Sequence, residues 1–381
     1  MTNQQKQFTS AISLILLLTG GLAAISWLQT GSERTAPTPE EVRQGAPSAD
    51  VLPAAGEPGE ALFGYDPHPE EQREFLRSLP KPTIREAGPG LFQAIGDPQE
   101  VLLYRALYKA YEKKYGNAWV VGRQGIGDCV SFGWAHGADI HLAIMYLRGD
   151  SADFKLVATE SIYGGSRVEA RGVRTGGWSD GSYGAAAAKW VREWGLVFRD
   201  EYDGVDLTTY SSRRAKDWGY YGNGGQGDHG KLDNEAKKHP VRDVALVTNF
   251  DEAAAAIASG YPVPVCSGQG FTSRRDADGF ARAAGSWPHC MCFIGVRHGD
   301  RPGLLCLNSW GPSWIDGPKY PDDMPDGSFW VDRNTVNRML AGRDSYCVSG
   351  YGGFPFQEIN HADWVLADPV GDTETHFALV P

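Results

Sequence analysis

Gln124-Gly125-Ile126-Gly127-Asp128-Cys129-Val130-Ser131-Phe132-Gly133-Trp134-Ala135-His136 joins a Gly-rich turn to apolar, helix-compatible sequence. The junction falls at Cys129, which sets a thiol at a helix N-terminus. The partial positive charge of that terminus favours the thiolate. Gln124, a few residues upstream, carries an amide able to donate to a developing oxyanion. A cysteine at a helix start is also a common small core residue, so the stretch needs a base from elsewhere in the chain. The helix should run to about Leu147 and end at Gly149. His136 and His141 fall on it as packed or exposed residues rather than as the base.

A thiol nucleophile needs a base that also protonates the leaving group, and histidine suits both tasks near neutral pH. Of the nine histidines, His289 has the best context, at the mouth of the apolar run Trp287-Pro288-His289-Cys290-Met291-Cys292-Phe293-Ile294-Gly295-Val296. A base on a strand is held on rigid backbone. Leu305-Cys306-Leu307-Asn308-Ser309-Trp310-Gly311-Pro312-Ser313-Trp314 follows. A strand ending in this way brings Asn308 against the imidazole, fixing its tautomer and ring orientation as the third member of a triad does. Trp310 covers that hydrogen bond and excludes water.

The order Gln, Cys, strand His and Asn-Ser-Trp-Gly-x-x-Trp resembles the papain family of cysteine peptidases. Asp180-Gly181-Ser182 is similar to the Gly-containing loop that lines that family's substrate cleft, and Asp326-Gly327-Ser328-Phe329-Trp330-Val331 to a strand near the end of its fold. The likeness covers roughly residues 119–350. It implies Cys129 as nucleophile, His289 as general base and acid, and Asn308 as the residue orienting His289. Gln124 with the Cys129 backbone N–H would form the oxyanion hole. Gly181 and Ser182 would line the cleft by backbone contact, with Trp310 beside them. It implies peptide or protein as substrate, an acyl-thioester intermediate, and neither cofactor nor metal. The chain departs from the pattern in three places. Gln124 stands five residues before Cys129, one fewer than is typical; Val130 replaces a tryptophan; and the turn before the nucleophile has no second cysteine. The first two of these departures motivate an alternative, a catalytically impaired papain-like scaffold that binds peptide or cell-wall material. No inhibitory propeptide signature is visible in residues 63–118, so activation by prodomain cleavage is not expected.

The rest of the chain sets bounds. At 381 residues with 48 Gly and 23 Pro it holds one large domain or two lobes joined by many loops. A net charge of -11 without a long basic run excludes a nucleic-acid partner. The six cysteines have no paired metal spacing; Cys290, Cys292 and Cys306 read as core residues, and disulfides among the five downstream of Cys129 cannot be paired from sequence. Lys6 precedes an uncharged apolar run from Ala11 to Leu28, which fits either a membrane anchor or a long signal peptide. The expected location is therefore outside the cytoplasm, membrane-anchored or secreted/periplasmic, with the membrane met only through this segment. No feature points to a particular oligomeric state.

The expected organisation is a signal peptide or anchor over 1–28, a linker over 29–62, a helical pre-domain or lobe extension over 63–118, and a peptidase domain over 119–381. The pre-domain should carry a helix from Asp97 to Lys114, with Asp97 as cap and Pro98 at its first position. Residues 203–240 read as an exposed insertion. After about Val241 strands dominate: Val244–Val247, Val263–Cys266 with Pro264 confining it to an edge or bulge, Cys290–Val296, Gly303–Leu307 and Ser328–Asp332. Asp251 should cap a helix over Glu252–Ala258. Helices first and strands second give an α+β fold with a helical N-terminal lobe (about 119–240), a β-rich C-terminal lobe (about 241–381), and the active-site cleft between them.

Overall fold

The helix that begins at Cys129 is apolar on every side, and such a helix belongs inside a protein. In the computed structural model, which describes residues 63–93, 100–177 and 179–364, it runs Cys129–Arg148 and is buried over most of its length. Its N-terminal half, with Cys129, Val130, Trp134 and Ala138, packs into one hydrophobic core. Its C-terminal half, with Ile140, Ala143 and Ile144, packs into another. Gly149 closes it in the left-handed conformation, φ 82°, which glycine adopts without steric cost.

The helices are α1 (Pro69–Ser78), α2 (Tyr104–Tyr115), α3 (Cys129–Arg148), α4 (Thr159–Arg167), α5 (Gly184–Glu193), α6 (Ser212–Tyr221), α7 (Phe250–Ala258) and α8 (Arg333–Leu340). The core around the first half of α3 is built from α1, α4, α5 and Trp218 of α6. The strands are β1 (Glu100–Leu102), β2 (Asp243–Leu246), β3 (Val263–Arg275), β4 (Ala281–Arg297), β5 (Gly303–Leu307), β6 (Ser328–Asp332) and β7 (Tyr346–Ser349). β4 is the spine of an antiparallel sheet: β1 and β3 pair with it, β5 pairs with it, and β6 pairs with β5. β2 and β7 form a separate antiparallel pair. One core is therefore helical and the other is a sheet with helices, the expected α+β division into two lobes.

Several expectations change. The candidate anchor over 1–28, the linker over 29–62, and Asp97 with Pro98 lie outside the described residues. Glu100–Leu102 is a strand, and the helix starts only at Tyr104. Of the two alternatives for residues 63–118, the contacts are those of a lobe extension: β1 extends the main sheet, and Tyr104, Ala106 and Leu107 of α2 enter its core. The stretch 203–240 is more than an exposed insertion, because α6 packs on α4 and Trp218 is buried. Asn249, not Asp251, caps α7, its side chain accepting from the Glu252 N–H. β3 is longer than expected, and it pairs only with β4 among the named strands, consistent with Pro264 near its start. Among the described residues no helix is long and apolar enough to cross a membrane.

Candidate active site

Cys129 is the first residue of α3 and is fully buried. Gly133, one turn further on, brings the helix directly onto β4. A Cβ there would stand 2.7 Å from the Met291 carbonyl oxygen and 3.0 Å from Cys290 Sγ, so only glycine permits this approach. Asp128 precedes the helix, and its Oδ2 accepts from the Tyr210 hydroxyl at 2.8 Å. Burial holds the Asp128 carboxyl well above the usual range. Burial also raises the Cys129 thiol well above its ordinary value, with Cys290 and Asp128 adding to the rise; the backbone N–H groups of Cys290 and Gly64 oppose it.

His289 lies on β4 opposite Ser267 of β3. Its Nε2 is 2.7 Å from Asn308 Oδ1. Asn308 follows the last residue of β5, and the same Oδ1 accepts from the Ser309 backbone N–H at 2.7 Å. An N–H can only donate, so this atom of Asn308 is the oxygen, and His289 must carry its proton on Nε2. Nδ1 is left with the lone pair of the neutral ring. It is buried and has no hydrogen-bond partner. The Trp310 ring lies 4.7 Å from the imidazole, centroid to centroid, and Trp287 and Trp314 pack around Trp310. Burial lowers His289 to about 4, against the opposing effect of its hydrogen bond to Asn308.

Gln124 reaches the same corner. Its backbone N–H donates to the Ser309 carbonyl at 2.8 Å, and its Oε1 accepts from Ser309 Oγ at 2.6 Å. Its Nε2 donates to the Ile126 carbonyl at 2.8 Å. The amide is thus tied to its own turn and to the residue after Asn308. Across the cleft, Gly181 sits at φ 110° and Ser182 follows it. Arg167, which sequence reasoning passed over, shapes this loop: its buried guanidinium donates to the carbonyls of Gly176, Gly177, Ser179 and Gly181. Its only signal was a lone arginine at a helix end near a Gly-Gly pair. Among the described residues no cluster of His, Cys, Asp and Glu is placed to hold a metal ion.

The largest departure from expectation is the segment Phe63-Gly64-Tyr65-Asp66. It crosses the site as a strap. Gly64 O accepts from the Ser182 N–H at 2.8 Å, and the Asp66 N–H donates to Ser182 O at 2.9 Å, a parallel bridge on the cleft-lining loop. On the other side, the N–H groups of Gly64 and Tyr65 both donate to Pro288 O, at 3.2 and 3.0 Å. Phe63 sets its ring edge-on to His289 and Trp310, with centroids 6.1 and 5.6 Å away. Cys129 and His289 are 0% and 1% exposed beneath it. The absence of a recognisable inhibitory sequence over 63–118 therefore did not mean an open cleft.

No family model matches the chain, and no curated protein matches it. Among solved structures it is similar to xylellain, a cysteine protease from Xylella fastidiosa, at 15% identity and TM-score 0.49, over 79% of this chain and 99% of that one. It is also similar to digestive procathepsin L 3 of Tenebrio molitor, at 15% identity and TM-score 0.44, over 73% and 79% of the two chains. A third is proCathepsin B S9 from Trypanosoma congolense, at 12% identity and TM-score 0.44, over 77% and 86%. The solved structures to which the chain is similar are papain-like cysteine proteases.

Proposed function

We propose that the chain is a cysteine-type peptidase that hydrolyses peptide bonds through an acyl-thioester. The observation that carries this reading is the His289–Asn308 bond of 2.7 Å with His289 Nδ1 buried and unpartnered, on a strand that touches the first turn of the Cys129 helix. Nδ1 is then the atom that takes the thiol proton. The Cys129 thiolate attacks the substrate carbonyl carbon, and the carbonyl oxygen becomes the oxyanion, met by the Cys129 N–H and by Gln124 once its amide turns from Ile126. The His289 imidazolium gives its proton to the leaving amine. Water, activated by His289, then hydrolyses the thioester and restores the thiol. Ser182 holds the substrate through the backbone N–H and carbonyl that now bond the strap, and Gly181 beside it lines the cleft. Trp310 shields the His289–Asn308 bond from water.

The strap occupies the ground a substrate would take, so this form is closed, and turnover follows displacement or cleavage near residues 63–66. Peptide or protein is the substrate class, and the apolar run over 11–28 supports export, anchored or secreted. The anchored amide of Gln124 favours the second reading, a scaffold that binds peptide without efficient turnover.

One experiment separates the two. The full chain and a variant with a weakened strap are incubated with a peptide library and, separately, with an epoxide thiol probe whose adduct is mapped. The peptidase reading expects labelling at Cys129 and turnover lost in Cys129→Ala. Turnover that survives Cys129→Ala overturns it; peptide binding without turnover in the opened variant supports the scaffold.

A further inference from the structure

We infer that Cys266 and Cys290 are an oxidisable pair whose disulfide clips β3 to β4 beside His289. The inference does not depend on peptidase activity. The two residues are direct partners in the antiparallel register, one place along from the Ser267–His289 pair. Directly opposed residues have Cα atoms about 4.5–5.5 Å apart, within the roughly 4.4–6.8 Å that a disulfide spans. Their side chains leave the sheet on the same face, and Sγ stands 2.8 Å from Sγ, closer than an ordinary non-bonded contact. Both sulfurs are fully buried. Of the remaining cysteines, Cys306 Sγ faces Met291 Sδ at 3.7 Å, and Cys347 Sγ faces the Ala245 carbonyl. Neither has a cysteine opposite it in its strand pairing.

The position gives the pair a consequence. Cys290 adjoins Cys129 across the glycine contact of α3 with β4. A thiol next to a nucleophilic thiol invites a disulfide between the two, which would consume the nucleophile. Joining Cys290 to Cys266 removes that partner and stiffens the strand that carries His289. The co-reactant is a disulfide, glutathione disulfide in the test. One thiolate of the pair attacks it, forming a mixed disulfide and releasing one thiol. The second cysteine attacks the protein-side sulfur of that bond and releases the other thiol. One sulfur–sulfur bond forms, one breaks, and the two protons and two electrons end on the released thiols. Because both sulfurs are buried, exchange occurs during folding or when the hairpin opens.

The test equilibrates the full chain with a glutathione-disulfide buffer under refolding conditions. The sample is quenched in acid, unfolded, alkylated and mapped by mass. A peptide pair cross-linked through Cys266 and Cys290 is expected, with Cys292, Cys306 and Cys347 alkylated. Dithiothreitol should make both cysteines alkylable and lower Tm by roughly 5–10 °C. The double variant Cys266→Ala/Cys290→Ala should lose that reductant-dependent shift. Full alkylation of Cys266 and Cys290 in the wild type after equilibration, or a disulfide joining other cysteines, overturns the inference without need of the variant.

Discussion

On the sheet side of the cleft, His289 is already held: Nε2 lies 2.7 Å from Asn308, Trp310 is against the ring, and Asn308 is fixed by the Ser309 N–H. On the helical side, Cys129 is fully buried, faces the Gly64 N–H, and makes no bond to the buried Nδ1 of His289. The two halves depend on different things. His289 and Asn308 are positioned by consecutive strands of one sheet, within a rigid core. Cys129 lies buried where Phe63–Asp66 is seated, and on the proposed reading its chemistry depends on that segment. Burial is the first cause of both pKa shifts, upward for the thiol and downward for the imidazole. The strap lies over both groups, and on the proposed reading its removal favours the thiolate–imidazolium pair.

Breaking the helical half should have the largest effect. Cys129→Ala removes the proposed nucleophile and should lower kcat/KM by about 10³-fold or more, measured on a peptide substrate in the opened protein. Retained turnover would show that the two halves do not form one site. Asn308→Ala attacks the other half and should cost less, roughly 10–10³-fold in kcat, because His289 keeps its place on β4 but loses its fixed tautomer. A loss confined to KM would show that Asn308 does not orient the histidine.

This asymmetry also governs what the sequence made legible. Cys129, His289 and Asn308 could be singled out as candidates because each sits where an apolar run of the sequence begins or ends, and such boundaries are written in the pattern of residue types. The two-lobe α+β division followed for the same reason. The strap could not be read. It holds by backbone bonds to Ser182 and Pro288, which almost any residue can make, and four extended residues carry no periodicity. Gly64 was its one trace, since a Cβ there would overlap the Gly127 carbonyl. Arg167 was hidden likewise: its partners are carbonyls of a loop 9–14 residues away. Sequence could not choose between a pre-domain and a lobe extension over 63–118 because β1 has three residues, too few for an alternation to show.

Gly64→Val tests the link between the halves directly. The added side chain cannot fit against Gly127, so the strap should leave. Alkylation of Cys129 at pH 7 should then be roughly tenfold faster than in the wild type, consistent with a lower thiol pKa in contact with water. Its pH–rate curve should also shift toward lower pH, because the burial that raises the thiol is gone. Equal rates in the two proteins would mean that the strap does not control the nucleophile.

The smallest effect separates a histidine that burial silences for good from one that opening releases. His136 lies between the edges of Trp119 and Phe132 on α3, with Nδ1 buried and unpartnered. Burial lowers it to about 4, the same value as His289. The unfolded chain, with a histidine pKa near ~6.5, takes up this proton first. Stability from this group is therefore complete above about pH 6.5 and falls as pH drops toward 4, by about 2 kcal/mol at pH 5. His136→Leu should remove that share of the acid loss, read as the difference in urea unfolding free energy between pH 8 and pH 5. His289 contributes with the same sign only while the strap is seated, so Gly64→Val should reduce its share and leave that of His136 intact. If His136→Leu loses as much stability on acidification as the wild type, the ring is not held neutral in the folded chain, and the difference between the two histidines does not arise from the strap.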